Sequence, residues 1–254
     1  DPSVHAAPGD TVLDLGSGSG KVCFIAAQRV GPSGRVIGID CNDEMLALAR
    51  RHRPTVAGRL GFDNVEFRRG RIQDLRDDLD AADAWLRARP NDSVEALAAW
   101  EAQRAAQRRD APLVADDSVD LVVSNCVLNL VRDEDKRQLF GEIFRVLRPG
   151  GRAVISDIVA DEPVPAALKR DPELWSGCIA GALPERDFVD AFAAAGLYGV
   201  EVLERGAAPW RTVEGIEFRS VTVRAWMGKQ GACWVRYKAV FLRGRWIEVR
   251  DDDG

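Results

Sequence analysis

The chain has 254 residues, of which 46% are hydrophobic and 30% charged, and its formal net charge is −5. This length is enough to bury a full α/β core without disulfide bonds, and the acidic balance excludes nucleic acid as an expected partner. No apolar run reaches the roughly 18 to 20 residues that span a bilayer, and no signal peptide is visible, so we expect a cytoplasmic protein with no membrane partner. The five cysteines include no Cys-x-x-Cys pair and are expected to be free thiols in a reducing compartment.

Apolar runs alternate with helical patterns through most of the chain. Strands are predicted at residues 11–15, 35–40, 65–67, 119–124 and 152–156. Helices are predicted at residues 21–30, 43–52 and 134–147, and the last is stopped by Pro149-Gly150-Gly151. Strands separated by helices in this way predict βαβ units and a mostly parallel, twisted α/β sheet with helices on both faces.

Two regions depart from this alternation. Residues 76–117 form an insertion, which we interpret as two amphipathic helices broken near Pro90-Asn91. We expect it to be a structural side module whose segment 101–109 is a solvated helix face. After a helix at 184–195, apolar runs at 199–203, 218–226 and 235–242 predict antiparallel additions to the sheet edge and a small β-rich C-terminal extension.

A glycine-rich turn, Asp14-Leu-Gly-Ser-Gly-Ser-Gly20, follows the first strand and opens a helix. Glycines let the backbone turn sharply and let a ligand approach it closely. The spacing Gly-x-Gly-x-Gly differs from the dinucleotide pattern Gly-x-Gly-x-x-Gly, which disfavours an NAD site. Asp40 ends the second strand, where a carboxylate can accept hydrogen bonds from both hydroxyls of a ribose.

This combination resembles the class I S-adenosylmethionine (SAM) methyltransferases. The resemblance implies their Rossmann-like fold and SAM as cofactor. It places these residues around SAM: Asp14 near the ammonium, Gly16, Ser17, Gly18 and Gly20 at the methionine half, Asp40 at the ribose, Cys41 facing the pocket, Ile72 and Gln73 at the adenine, and Asn125 near the sulfonium.

Two cysteine segments are more specific than the glycine turn. Ser124-Asn-Cys126-Val-Leu-Asn-Leu130 follows the fourth strand, at the edge where open α/β sheets bind ligands, and residues 171–183 carry Cys178 across the same rim. Both segments closely resemble those of arsenite methyltransferases, and the resemblance covers about residues 11–240. It implies transfer of the SAM methyl group to trivalent arsenic, as arsenite or a thiol adduct, for arsenic detoxification, with glutathione or thioredoxin as reductant.

The resemblance also suggests how the chain is divided. Residues 1–160 would form the SAM-binding core with its helical insertion at 76–117. Residues 161–254 would carry the substrate-binding segment, the sheet-edge strands and the C-terminal extension.

The proposed substrate suits the cysteines. Trivalent arsenic is thiophilic, and the thiolates of Cys126 and Cys178 are the soft ligands that would hold it. Bound arsenic keeps a lone pair that can attack the methyl group, so no general base is required and catalysis comes from positioning. Many family members have a cysteine where this chain has Ser17. The candidates for a third ligand are Cys41, Cys23, Cys233 or a small-molecule thiol, although Cys23 is expected to be a core residue.

Two alternatives remain open. The chain could be a class I methyltransferase of an organic small molecule, with the cysteines lining its pocket. It could also be a non-catalytic protein that binds a metalloid or SAM, against which the intact glycines and Asp40 argue.

Overall fold

Strands and helices alternate along the chain in the computed structural model, which describes residues 1–89 and 92–228 and the backbone of two further strands. The strands are β1 (Thr11–Leu15), β2 (Arg35–Asp40), β3 (Val65–Arg69), β4 (Val119–Asn125), β5 (Leu147–Ala160), β6 (Tyr198–Arg205), β7 (Arg211–Val213), β8 (Ile216–Trp226), β9 (Lys238–Leu242) and β10 (Arg245–Val249). The helices are α1 (Lys21–Val30), α2 (Asp43–Leu60), α3 (Leu79–Ala88), α4 (Val94–Asp110), α5 (Asp133–Val146), α6 (Pro172–Ser176) and α7 (Glu185–Ala194). Short 3-10 helices lie at Pro2–His5, Leu128–Leu130 and Leu168–Arg170.

The strand order of the main sheet is β3-β2-β1-β4-β5-β8-β6, with β7 paired to β8. Strands β1 to β5 are parallel, whereas β8 runs antiparallel between β5 and β6. The Rossmann-like class I methyltransferase fold is therefore confirmed. The chain order reverses between β1 and β4, and ligands bind at the carboxyl ends of strands that flank such a reversal.

The core lies on both faces of the sheet. On one face, α5 and α7 contribute Phe140, Phe188 and Phe192, whose ring centroids are 4.9 to 6.3 Å apart in edge-to-face contacts. On the other face, α1 packs Cys23, Ala26 and its neighbours against the sheet. Burial on both faces fixes the strands, so the loops at their carboxyl ends start from rigid positions.

Some predicted boundaries were wrong. Helix α2 continues through Pro54 to Leu60 instead of ending at residue 52, and Gly61, with φ of 79°, ends it. The residues around Pro54 are mostly exposed, so the carbonyl that loses its helical donor can be hydrated. Strand β5 reaches Ala160 because it pairs along that length with β8.

The insertion contains the two predicted helices, α3 and α4, with Trp85 and Trp100 in ring contact at 5.3 Å between centroids. The prediction of a solvated face over residues 101–109 is wrong for Arg104 and Arg108. Both pair with carboxylates about 30 residues earlier in the chain, a partnership that the helical pattern does not reveal.

None of the helices in the described residues is long and apolar enough to cross a membrane.

Candidate functional site

The glycine turn after β1 lies against β2 and against the loop that follows β4. The backbone N–H groups of Gly16 and Ser17 both donate to the carbonyl of Ile39 at 2.9 Å. A Cβ on Gly16 would come within 2.3 Å of the Val127 side chain, so only glycine allows this approach to the cysteine loop. A Cβ on Gly18 would meet nothing within 4 Å, so the turn has an open side.

Asp40 is fixed at the end of β2 beside this turn. One carboxylate oxygen accepts a hydrogen bond from the Gly18 N–H and the other from the Asn42 N–H, both at 2.8 Å. A carboxylate has about four lone-pair positions, so each oxygen can accept a further hydrogen bond. This geometry fits the predicted contact with two ribose hydroxyls.

The glycine turn has one buried polar atom without a hydrogen-bond partner, and a buried carboxylate lies just before the turn. Ser17 is buried and its Oγ has no hydrogen-bond partner. Asp14 is buried in β1, and its carboxylate accepts from the Cys23 Sγ at 3.2 Å. Burial, with a smaller contribution from the Asp40 charge, raises the pKa of Asp14 to about 7 despite that hydrogen bond. Buried polar groups usually have partners, so these residues fit a ligand that brings a cationic group.

The remaining predicted cofactor residues lie in loops at the same edge of the sheet. The N–H of Gly70 donates to the backbone carbonyl of Asp40 at 3.0 Å, which holds the loop containing Ile72 and Gln73 against the end of β2. Ile72 is buried and Gln73 partly buried. Cys41, directly after β2, and Asn125, at the end of β4, are exposed.

Cys126 and Cys178 meet although 52 residues separate them. The Cys178 Sγ donates to the backbone carbonyl of Cys126 at 3.1 Å. The two residues have φ of 57° and 58°, a left-handed conformation that is uncommon for residues other than glycine. Such backbone strain persists only where the surroundings impose it, and it concentrates at functional sites.

Two residues that the sequence analysis did not single out hold the cysteine loops in place. The Asp157 carboxylate, buried in β5, accepts from the N–H of Leu128 at 2.9 Å and from its neighbour Ile158 at 2.8 Å. The buried Asn129 amide donates to the carbonyl of Ile158 at 2.7 Å and to that of Cys178 at 3.0 Å. Asn129 lies within the Cys126 segment, and Asp157 directly follows the predicted fifth strand, so the only signal in the sequence was position.

The electrostatics keep both cysteines as neutral thiols in the free protein. Burial raises the pKa of Asp157 to about 6, although backbone N–H groups oppose the shift. Desolvation, then the Asp157 charge, then the other cysteine raise the pKa of Cys178 to about 11. Desolvation and the Asp157 charge raise the pKa of the Cys126 thiol as well, even though this residue lies at the exposed rim.

The third-ligand candidates are placed differently from this pair. Cys23 is fully buried, as expected for a core residue, and its Sγ donates a hydrogen bond to Asp14. Cys233 lies outside the described residues. Within residues 1–89 and 92–228, no group of three or more His, Cys, Asp or Glu side chains is arranged to hold a metal ion. Cys126 and Cys178 therefore form a pair there, and a third ligand from Cys41 stays a prediction.

Comparisons with known proteins agree with this geometry. The family described as "Methyltransferase domain" matches residues 6–107 and 101–205. Arsenite methyltransferases of Halobacterium salinarum and Aquipseudomonas alcaligenes are each 39% identical, over 77% and 71% of this chain and 39% and 42% of their own lengths. The chain thus spans about two fifths of the curated relatives it matches.

A solved structure is also similar to most of this chain. An arsenic(III) S-adenosylmethionine methyltransferase from Chlamydomonas reinhardtii superposes with a TM-score of 0.67 at 29% identity, over 89% of this chain and 66% of that one. The chain therefore belongs to the methyltransferase-domain family, and within that family it is similar to arsenite methyltransferases.

Proposed function

We propose that this chain transfers a methyl group from SAM to trivalent arsenic, supplied as arsenite or a thiol adduct and bound by Cys126 and Cys178. The observation that carries the proposal is the meeting of the two cysteines, with the Cys178 Sγ 3.1 Å from the Cys126 carbonyl and both residues in a left-handed conformation. Gly16 packs against Val127, so the cysteine pair adjoins the glycine turn at the reversal of strand order.

We assign the cofactor contacts as follows. Asp40 would hold the ribose, Asp14 would face the ammonium, and Ile72 and Gln73 would flank the adenine. The glycine turn, with Ser17, would line the methionine half. Asn125 would lie near the sulfonium, and Cys41 would face the pocket. When bound, SAM supplies an electrophilic methyl group on a sulfonium.

The two thiols would bind arsenic by ligand exchange. Each S–As bond forms as an As–O or As–S bond breaks, and the thiol proton leaves on the departing hydroxide or thiolate. The arsenic lone pair remains free, so the chain need not remove a proton from the nucleophile. Its contribution is to hold the arsenic in a fixed position, through the contacts that Asp157 and Asn129 make to both loops.

Free thiols in this pair require a reducing compartment. We propose that this compartment is the cytoplasm and that glutathione or thioredoxin is the reductant.

The arsenic site is tested by replacing each cysteine with an alcohol, which is a poor ligand for a soft atom. Cys126→Ser and Cys178→Ser are each expected to abolish arsenic methylation while SAM affinity is kept. The protein is incubated with SAM, arsenite and glutathione, arsenic species and S-adenosylhomocysteine are quantified, and SAM binding is measured by calorimetry. If both variants methylate arsenite like the wild type, the organic-substrate alternative replaces this proposal.

The cofactor site is tested separately with Asp40→Ala. Two charge-assisted hydrogen bonds of roughly 1.5–3 kcal/mol each would be lost, so SAM affinity is expected to fall at least about tenfold. Calorimetry measures this, and unchanged affinity in a folded variant would refute the ribose assignment.

A further inference from the structure

The insertion is in contact with the loop to which we assign the adenine. This loop, residues 70–77, is called the adenine loop below. We infer that helix α4 positions the adenine loop through Arg104 and Arg108, so that these two arginines are positioning residues for SAM binding. The inference rests on the proposed SAM site but not on the proposed substrate.

Arg104 closes one end of the adenine loop. Its Nε and Nη2 donate to the two carboxylate oxygens of Asp77 at 2.9 and 2.6 Å, a bidentate pair that fixes orientation as well as distance. The Asp77 side chain is only 2% exposed. Burial raises the pKa of Asp77, but the Arg104 hydrogen bonds, together with the charges of Arg104, Arg108 and Arg71, outweigh it and leave the pKa below its usual value.

Arg108 holds the loop next to the adenine residues themselves. Its Nη1 donates to Oδ2 of Asp74, which directly follows Gln73. The other carboxylate oxygen of Asp74 is buried without a partner, so this carboxylate depends on the arginine. Gln107 adds a hydrogen bond of 3.3 Å to the carbonyl of Arg76. Residues 104, 107 and 108 share one helix face, and this face contacts the loop.

The core holds the loop from its other side. The Gly70 N–H donates to the carbonyl of Asp40 at 3.0 Å, and the Leu75 N–H donates to the buried Glu142 carboxylate at 2.7 Å. Backbone hydrogen bonds also hold the loop, because the N–H groups of Leu113 and Val114 donate to the carbonyls of Arg76 and Leu75 at 3.3 and 2.9 Å. The loop therefore lies between the core and α4, and α4 supplies the side-chain contacts to its two aspartates. An exposed ion pair contributes little, but removing the partner of a buried carboxylate leaves an uncompensated charge, so the loop is expected to shift when Arg104 is lost.

The test uses Arg104→Ala, Arg108→Ala and a control on the same helix, Arg109→Ala. Arg109 pairs only with its exposed neighbour Asp110 among the contacts described, and its side chain is 69% exposed. SAM affinity is measured by calorimetry, which needs no second substrate. KM for SAM and kcat are measured at saturating arsenite. We expect Kd and KM for SAM to rise about 2- to 30-fold in the first two variants with kcat kept, and no change in the control. Arg108→Lys should restore part of the affinity.

The outcomes separate this inference from the proposed function. If the wild type does not bind SAM, the proposed function fails. If the wild type binds SAM and the folded Arg104→Ala and Arg108→Ala variants bind it like the control, this inference is wrong, even when their melting temperatures fall. Should Arg104→Ala not fold, Arg108→Ala and Gln107→Ala carry the same comparison. Faster hydrogen exchange at residues 70–77 in these variants would support the inference.

Discussion

Asp14 shows how one residue can link binding to pH. Its pKa is about 7 in the folded protein, because burial favours the neutral acid, against 3.8 for an ordinary aspartate. If a cationic ammonium binds there, it must displace a proton below pH 7. SAM affinity is therefore expected to weaken as pH falls from 7 to about 5, and Asp14→Asn should bind more weakly without that pH dependence. Calorimetry across this range measures both.

The same shift has an opposite consequence for stability. A raised native pKa contributes stability that is fully present below the unfolded value of 3.8 and is lost as pH rises through about 7. Relative to the wild type, Asp14→Asn should therefore gain stability between pH 4 and pH 7. Asp110→Asn, an exposed carboxylate on α4, is the control that should show no such gain. A pH-independent difference for Asp14→Asn would contradict the assignment of the shift.

At the scale of single residues, the sequence singled out side chains that the structure brings to one edge of the sheet, but not the residues that hold them in place. Glycine spacing, Asp40 and the two cysteine segments follow from residue type and position relative to strands, and the structure brings them to one edge of the sheet. Asp157 and Asn129 act through hydrogen bonds to residues about 29 positions away, and their burial depends on the packed fold. No local pattern encodes such partners.

Among the elements, α5 is tied to the Cys178 loop by a buried lysine. The Lys136 Nζ donates to the Gly181 carbonyl at 2.6 Å and to Asp133 at 2.5 Å, and its side chain is 8% exposed. Lys169 pairs with the same Asp133 but is 36% exposed. Lys136→Met should destabilise the protein by about 1–3 kcal/mol and weaken arsenite binding, since a buried carbonyl loses its donor.

Lys169→Met is the matched control. This substitution removes a surface partner of the same Asp133 carboxylate, so the free energy of unfolding should change by no more than about 1 kcal/mol. Denaturant unfolding and arsenite titration followed by tryptophan fluorescence measure both variants. Equal effects would mean that the contact with Gly181 does not position the loop.

Element order was predicted well because alternation of apolar runs and helical periods is a local property. Element ends were predicted less well. The pairing of β5 with β8 sets where β5 ends, and β7 exists as a strand because it pairs with β8. The pairing of β5 with β8 joins segments more than 50 residues apart, and that of β7 with β8 depends on a short turn. Neither feature is visible in the periodicity of hydrophobic residues.

For the whole molecule, β9 and β10 pair with each other and stand outside the eight-stranded sheet. Deleting residues 229–254 should therefore leave the main sheet folded and SAM affinity unchanged, as measured by thermal unfolding and calorimetry. The same deletion removes Cys233. A loss of arsenite affinity that Cys233→Ser reproduces in the full chain would identify the third ligand, whereas loss of SAM binding would show that residues 229–254 support the core.

The buried carboxylate of Asp157, whose charge contributes to the raised pKa of both cysteine thiols, bears on which ions the proposed site would admit. Arsenite at neutral pH carries its own hydroxides, so two thiols can displace them as water without releasing protons. A divalent soft cation such as Cd²⁺ carries no base and must drive two protons into solution, and the raised pKa values of Cys126 and Cys178 make each release harder. The site would thus discriminate by the number of protons that binding releases. It would admit neutral arsenite, and it would disfavour divalent cations more strongly as the pH falls.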